Sequence, residues 1–252
     1  MFGRRAHAPR GKTLRFNAAL TRFEPPSDNY GMSVLFNNIT HGLIKNDDGN
    51  MYPSRLYCHR GPSSTFSEEY SHVFGIVVSG TITLFKAGVG EFVLRAGMYF
   101  SSPGTTVLTG EGEAVIFERK GFRGLFQIGG PIERQGRLCY MDNCRATVLV
   151  SPPRLGDPVL NLLTFPPHVE QTRHIHPTLR MGAVLSGAGT CQYGADQQKA
   201  LVRGSVFYLP EATPHCFNSG HEPLVVIAYH PDSDVGPTDS QHPMLSRTYT
   251  KF

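Results

Sequence analysis

Nowhere in these 252 residues do eighteen apolar residues run together, so no helix is expected to span a membrane. Also missing is the three-to-four residue apolar spacing of a long amphipathic helix, and very little helix is expected. Charge is sparse. Twenty-four Lys and Arg against 20 Asp and Glu leave a net +4. No basic run is interleaved with aromatics, which argues against a nucleic-acid surface. The five cysteines, Cys58, Cys139, Cys144, Cys191 and Cys216, are odd in number and unpatterned in spacing. They read as reduced thiols of a cytoplasmic protein rather than a disulfide framework. Cys139 and Cys144 lack the second pair that a zinc site would need. The basic start, Met1 to Lys12, has no apolar segment of its own and is expected to be an arm rather than a secretory signal.

Turn and strand formers are abundant. The 27 Gly and 19 Pro are scattered among 16 Phe and 10 Tyr, which suits many short strands and many turns. The length allows one large β domain or two of about 110 to 125 residues. A repeat decides between these. Sliding the chain by 107 residues pairs Leu56 with Leu163, Gly75 with Gly182, Gly80 with Gly187, Thr83 with Thr190 and Gly97 with Gly204. The same offset pairs Phe100 with Phe207, Pro103 with Pro210 and Thr106 with Thr213. Turn glycines record strand lengths, because they supply backbone angles that other residues resist. The chain is therefore read as all-β, with two tandem barrels. Residues 1–34 are expected as an arm, 35–130 as the first barrel, 131–144 as a linker, 145–230 as the second barrel and 231–252 as a tail.

Chemistry concentrates in Arg173 to Asn218. His174 and His176 flank one residue; on a strand both imidazoles leave the same face. His215 follows 39 residues after His176 and can join them through hairpins. Three neutral imidazoles converging on a point suit a divalent transition metal.

His174, His176, Gly187, Gly204, Pro210 and His215 fall on the two motifs of the cupins, G-x5-H-x-H-x3,4-E-x6-G and G-x5-P-x-G-x2-H-x3-N, and the chain resembles a bicupin. The resemblance implies tandem cupin barrels and one metal site, in the second barrel, with His174, His176 and His215 as ligands. It implies one divalent metal per chain, Fe(II) first, with Mn, Zn, Ni or Cu as alternatives. Cupins commonly pair through sheet extension, and a homodimer is expected. Arg180 stands where the family has a glutamate ligand, Ala212 replaces the second motif's glycine, and Asn218 comes one residue early. A guanidinium cannot ligate a metal. Arg180 is assigned to anchoring a small anionic substrate, the alternative being a salt bridge to Glu211 or Glu222. His168, Gln171 and Gln192 are weighed as a fourth ligand or supporting contact, and surface positions are the default. Cys191 with Tyr193 is read as core or pocket wall, and Tyr208 with Tyr229 as pocket mouth or barrel packing.

In the first half the offset places Ser67, Glu69, Val73 and Leu108 at the positions of His174, His176, Arg180 and His215, and no metal is expected there. The functional expectation is a metal-dependent dioxygenase acting on a small anion. A non-oxidative isomerase, cyclase or hydrolase and a non-catalytic binding protein are the alternatives.

Overall fold

Glycines meet phenylalanines at the centre of each barrel. In a computed structural model, which describes residues 33–154 and 156–232, Gly75 pairs across the sheet with Phe100, and Gly182 with Phe207. A Cβ on Gly75 would sit 2.4 Å from the Phe100 ring, and one on Gly182 would sit 2.2 Å from Phe207. Each ring therefore lies over bare backbone, and the pair recurs at the repeat offset. The expected arm and tail lie almost wholly outside the described residues.

Four antiparallel sheets carry the fold. The first barrel is a six-stranded sheet, ordered Gln127–Gly129, Tyr99–Pro103, Ser71–Ser79, Glu113–Lys120, Ser54–Arg60 and Gly42–Asp47. It faces a four-stranded sheet, Ser63–Phe66, Thr106–Thr109, Thr81–Lys86 and Gly90–Arg95. The second barrel repeats this with a seven-stranded sheet, ordered Leu35–Asn38, Ser205–Leu209, Arg180–Ser186, Leu224–His230, Val159–Phe165, Arg145–Val150 and Leu138–Cys139. Its smaller sheet holds Gln197–Val202, Ala188–Tyr193 and His215–Ser219. The single helical turn among the described residues is the 3-10 turn Met141–Asn143. No described helix is long and apolar enough to cross a membrane.

The central strands of the two large sheets are buried on both faces, and this explains their composition. Along Ser71–Ser79, Val73 and Val77 enter the first barrel's interior, while Phe74, Ile76 and Val78 enter a core shared between the barrels. Along Arg180–Ser186, Val184 packs inside the second barrel and Met181 and Ala183 face the shared core. Such strands read as continuous apolar runs. Tyr208 and Tyr229 belong to the shared core and not to a pocket mouth: strand parity turns them away from Phe207 and Leu209 on one strand and from Val226 on the other. Tyr229 stacks on Phe117 across the barrels at 5.2 Å, and the Tyr208 hydroxyl donates to Asp47 at 2.9 Å. Burying one such ring stabilises by about 2 to 3 kcal/mol.

Three details depart from the sequence reading. Leu35–Asn38, expected to open the first barrel, pairs with Ser205–Leu209 and forms an edge of the second barrel's large sheet. The stretch expected as a linker contributes a short strand, Leu138–Cys139, to that same sheet. The offset of 107 also fails outside the central hairpins. Following the ladders outward from Gly75 and Gly182, Ile116 matches Ala228, and Tyr57 rather than Leu56 takes the inward-facing place opposite. Insertions before the last strand of the second barrel shift the register there, and Leu56 and Leu163 face different cores.

Candidate metal centre

The first two histidines do not lie on a continuous strand. The segment that carries them, 170–176, runs beside His215–Ser219 but pairs with it by backbone only at isolated bridges, Glu170–Asn218 and His174–His215. In the first barrel the equivalent segment is the regular strand Ser63–Phe66. Side-chain contacts replace the missing ladder. Gln171 N–H donates to Asn218 Oδ1 at 3.2 Å, and Phe217 N–H donates to Gln171 Oε1 at 3.0 Å. Alternation survives: Ile175 is exposed while His174 and His176 turn inward.

His174, His176 and His215 each offer one ring nitrogen, and these three atoms lie within 4.8 Å of one another. Ring centroids are 4.9, 4.7 and 5.2 Å apart. The His174 Nδ1–H reaches the carbonyl of Thr172 at 2.8 Å, and the His215 Nδ1–H reaches the carbonyl of Thr213 at 2.8 Å. Each carbonyl selects the tautomer that leaves Nε2 as a lone-pair donor, the arrangement metal-binding histidines use. Burial, reinforced by Arg180, pushes the His176 imidazole down to about 2. Burial likewise brings His215 down to about 4. Both rings are therefore neutral at neutral pH, as a metal ligand must be. The donor set, three imidazoles with their nitrogens close together, fits a divalent transition metal.

Support for the histidines comes from Asp142, which sequence reasoning missed, and from Ala212. Asp142, in the 3-10 turn, holds a left-handed backbone at φ 55. Its carboxylate accepts from Thr172 N–H at 2.6 Å and from Thr172 Oγ at 3.0 Å. Thr172 is the residue whose carbonyl orients His174. Ala212 occupies the second motif's glycine position at φ 54 and donates its N–H to the His176 carbonyl at 2.9 Å.

Arg180 is 3% exposed and lines the same cavity as the three histidines. Its Nη1 donates to Thr178 O at 3.1 Å, Thr178 Oγ1 at 2.8 Å and Leu179 O at 2.8 Å. It shares the inward parity of Gly182 and Val184 on its strand. The cavity measures about 520 Å³. Its walls are largely apolar, with Tyr140, Val148, Leu163, Phe207, Leu209 and Phe217 among them. Asn161 and His230 add polar groups that the sequence reading did not single out. Asn161 was detectable in principle, as one polar residue at an inward position of Val159–Phe165.

The other candidates lie elsewhere. His168 sits at φ 61 against His221, with ring centroids 4.8 Å apart. Gln192 is exposed. Gln171 lines the cavity, but its amide oxygen is engaged by Phe217. Cys191 is buried in the barrel core with Tyr193 against it. All five cysteines are free, and Cys139 lies on the cavity wall.

The first barrel lacks a comparable donor set, though not at the residues the offset named. Sheet register makes Phe66 and Thr106 the counterparts of His174 and His215. Leu108, assigned to His215 by the offset, matches Phe217 instead and is fully buried among Phe66, Leu84 and Phe100. Ser67 and Glu69 are exposed. Among the described residues the histidine trio is the only cluster of this kind.

Comparison with known proteins agrees with the fold. The cupin domain family model matches residues 161–230. A salicylate 1,2-dioxygenase from Pseudoaminobacter salicylatoxidans, solved with gentisate, is similar with a TM-score of 0.54 at 14% identity, over 72% of this chain and 69% of that one. The protein YlbA from E. coli is similar with a TM-score of 0.57 at 15% identity, over 79% of this chain and 82% of that one. A manganese-containing oxalate decarboxylase from Bacillus subtilis is similar with a TM-score of 0.50 at 13% identity, over 81% of this chain and 74% of that one. Among curated protein sequences none matches this chain. The chain has the fold of the cupin barrels it resembles, residues 161–230 form a cupin domain, and a histidine trio able to hold a metal stands in that second barrel.

Proposed function

We propose that the chain is a metal-dependent bicupin enzyme, an Fe(II) dioxygenase acting on a small organic anion. One observation carries this reading: three imidazoles poised to ligate and a buried guanidinium share a single apolar cavity. His174, His176 and His215 would hold the metal, and with no carboxylate among them the centre would keep its full positive charge. A divalent metal bound there would supply Lewis acidity and, as Fe(II), redox chemistry with O₂.

The protein's own contribution is binding and shielding. Arg180, fixed by Thr178 and Leu179, would anchor the substrate's negative charge. The apolar walls would exclude water and strengthen that attraction. Two of the similar proteins act on small organic acids or bind one, as their names state, and this supports an acid as substrate. The manganese decarboxylase among them favours a second, non-oxidative reading of the same site. A homodimer is part of the proposal, since Gly42–Asp47 ends its sheet among the described residues, and a sheet edge invites further pairing.

Oxygen uptake separates the two readings. Protein loaded anaerobically with Fe(II) should consume O₂ in step with loss of a small hydroxylated aromatic acid, and the His176→Ala variant should not. Turnover without O₂ uptake would favour the second reading.

A further inference from the structure

The duplicated fold supplies an internal comparison. Through the paired ladders, Tyr57 and Glu118 of the first barrel occupy the places of Asn161 and His230 in the second, and Arg55 that of Val159. The cross-strand polar pair recurs. The Tyr57 hydroxyl donates to Glu118 at 3.2 Å, and Asn161 Nδ2 faces His230 Nε2 at 3.4 Å.

The surroundings differ. In the first barrel a guanidinium fills the space: Arg55 Nη1 lies 3.4 Å from the Tyr57 hydroxyl and 3.5 Å from Glu118, and Glu68 and Asp48 hold it from outside. In the second barrel the position of that arginine is Val159, which offers no donor. Asn161 and His230 instead line the metal cavity, and the two residues are 6% and 7% exposed. The Asn161 Oδ1 is buried with no hydrogen-bond partner among the described residues. An acceptor left so bears its desolvation cost with nothing to offset it. A side chain kept at that cost, on a strand whose inward places are otherwise apolar or small, suits a ligand.

We propose that Asn161, backed by His230, forms a recognition site for a hydrogen-bond donor on the substrate, a hydroxyl or an amine, where the first barrel uses its own Arg55. This rests on the reading of the cavity as a small-acid site. It narrows the substrate to an acid carrying a neutral donor group away from the carboxylate. His230, 6.2 Å from the His176 ring, places the site beside the metal centre rather than at the cavity mouth.

The test uses the full-length metal-loaded protein and four probes: benzoate, 3-hydroxybenzoate, 3-aminobenzoate and gentisate, with affinities from calorimetry. At least one donor-bearing probe should bind about tenfold or more tighter than benzoate. In Asn161→Val that advantage should vanish while benzoate affinity and metal content hold. Asn161→Ala repeats the comparison should the valine variant misfold. Equal affinity for all four probes, or an advantage that survives both variants, overturns the donor site alone. Failure of every probe to bind overturns the small-acid reading and the donor site with it.

Discussion

His174 and His215 exchange both backbone hydrogen bonds, at 3.0 and 2.9 Å. Residues paired so stand directly opposite each other and project from one face. Two proposed ligands separated by 41 positions are thereby fixed to each other by main chain, before any metal arrives. The same pairing in the first barrel joins Phe66 to Thr106, with Thr106 Oγ1 bound to Ser102 Oγ at 2.7 Å. One scaffold thus carries a proposed ligand pair in one copy and ordinary packing in the other.

Arg180→Leu should leave metal content unchanged and weaken binding of a carboxylate probe by about thirtyfold or more, since a buried charge pair is lost. Arg180→Lys should recover only part of it, lacking the planar fork. Arg180→Glu should raise metal affinity by adding a fourth ligand. Calorimetry with metal and with carboxylate reads each effect separately. Undiminished carboxylate affinity in the leucine variant would remove Arg180 from its proposed role.

Ala212→Gly should stabilise the protein by about 1 kcal/mol, because alanine at φ 54 holds a backbone that glycine adopts without strain. Urea unfolding at constant metal saturation measures it. A loss of stability would mean that the alanine methyl contributes more by packing than its backbone strain removes.

His72 sets an acid limit on the first barrel. Gly124 N–H donates to its Nδ1 at 3.0 Å, so its proton sits on Nε2, 2.6 Å from Ser101 Oγ. Burial, with Lys86 adding, pushes this imidazole down to about 3 from an ordinary 6.5. Between those values the unfolded chain binds the proton and the folded one does not. Stability should therefore be level above pH 6.5 and fall as pH drops toward 3, by up to about 1.4 kcal/mol per pH unit from this group. In His72→Gln the slope should lessen by that amount. An unchanged slope would show that His72 titrates alike in both states.

Much of this was legible in sequence because turn glycines are rigid markers. Gly80 and Gly187 at φ 69 and 77, and Gly97 and Gly204 at φ 82 and 85, need conformations that few other residues accept. The hairpins they bound therefore align without a gap: Thr81–Lys86 matches Ala188–Tyr193, and Gly90–Arg95 matches Gln197–Val202. Outside those hairpins no such marker survives. Shifts of one to three residues reassigned the counterparts of His174 and His215 and hid that of Asn161. Side-chain direction on a strand reverses with each residue of slip, so small register errors change which face a residue occupies. The support from Asp142 to Thr172 was hidden for another reason, being long-range and set by one left-handed turn.

The central claim is one metal centre, built by His174, His176 and His215 in the second barrel. Elemental analysis of protein purified without a histidine tag tests it most directly, wild type beside His176→Ala. The wild type should hold close to one divalent metal per chain and the variant almost none, with both folded by circular dichroism. Two metals per chain, or a metal retained by the His176→Ala protein, would contradict it.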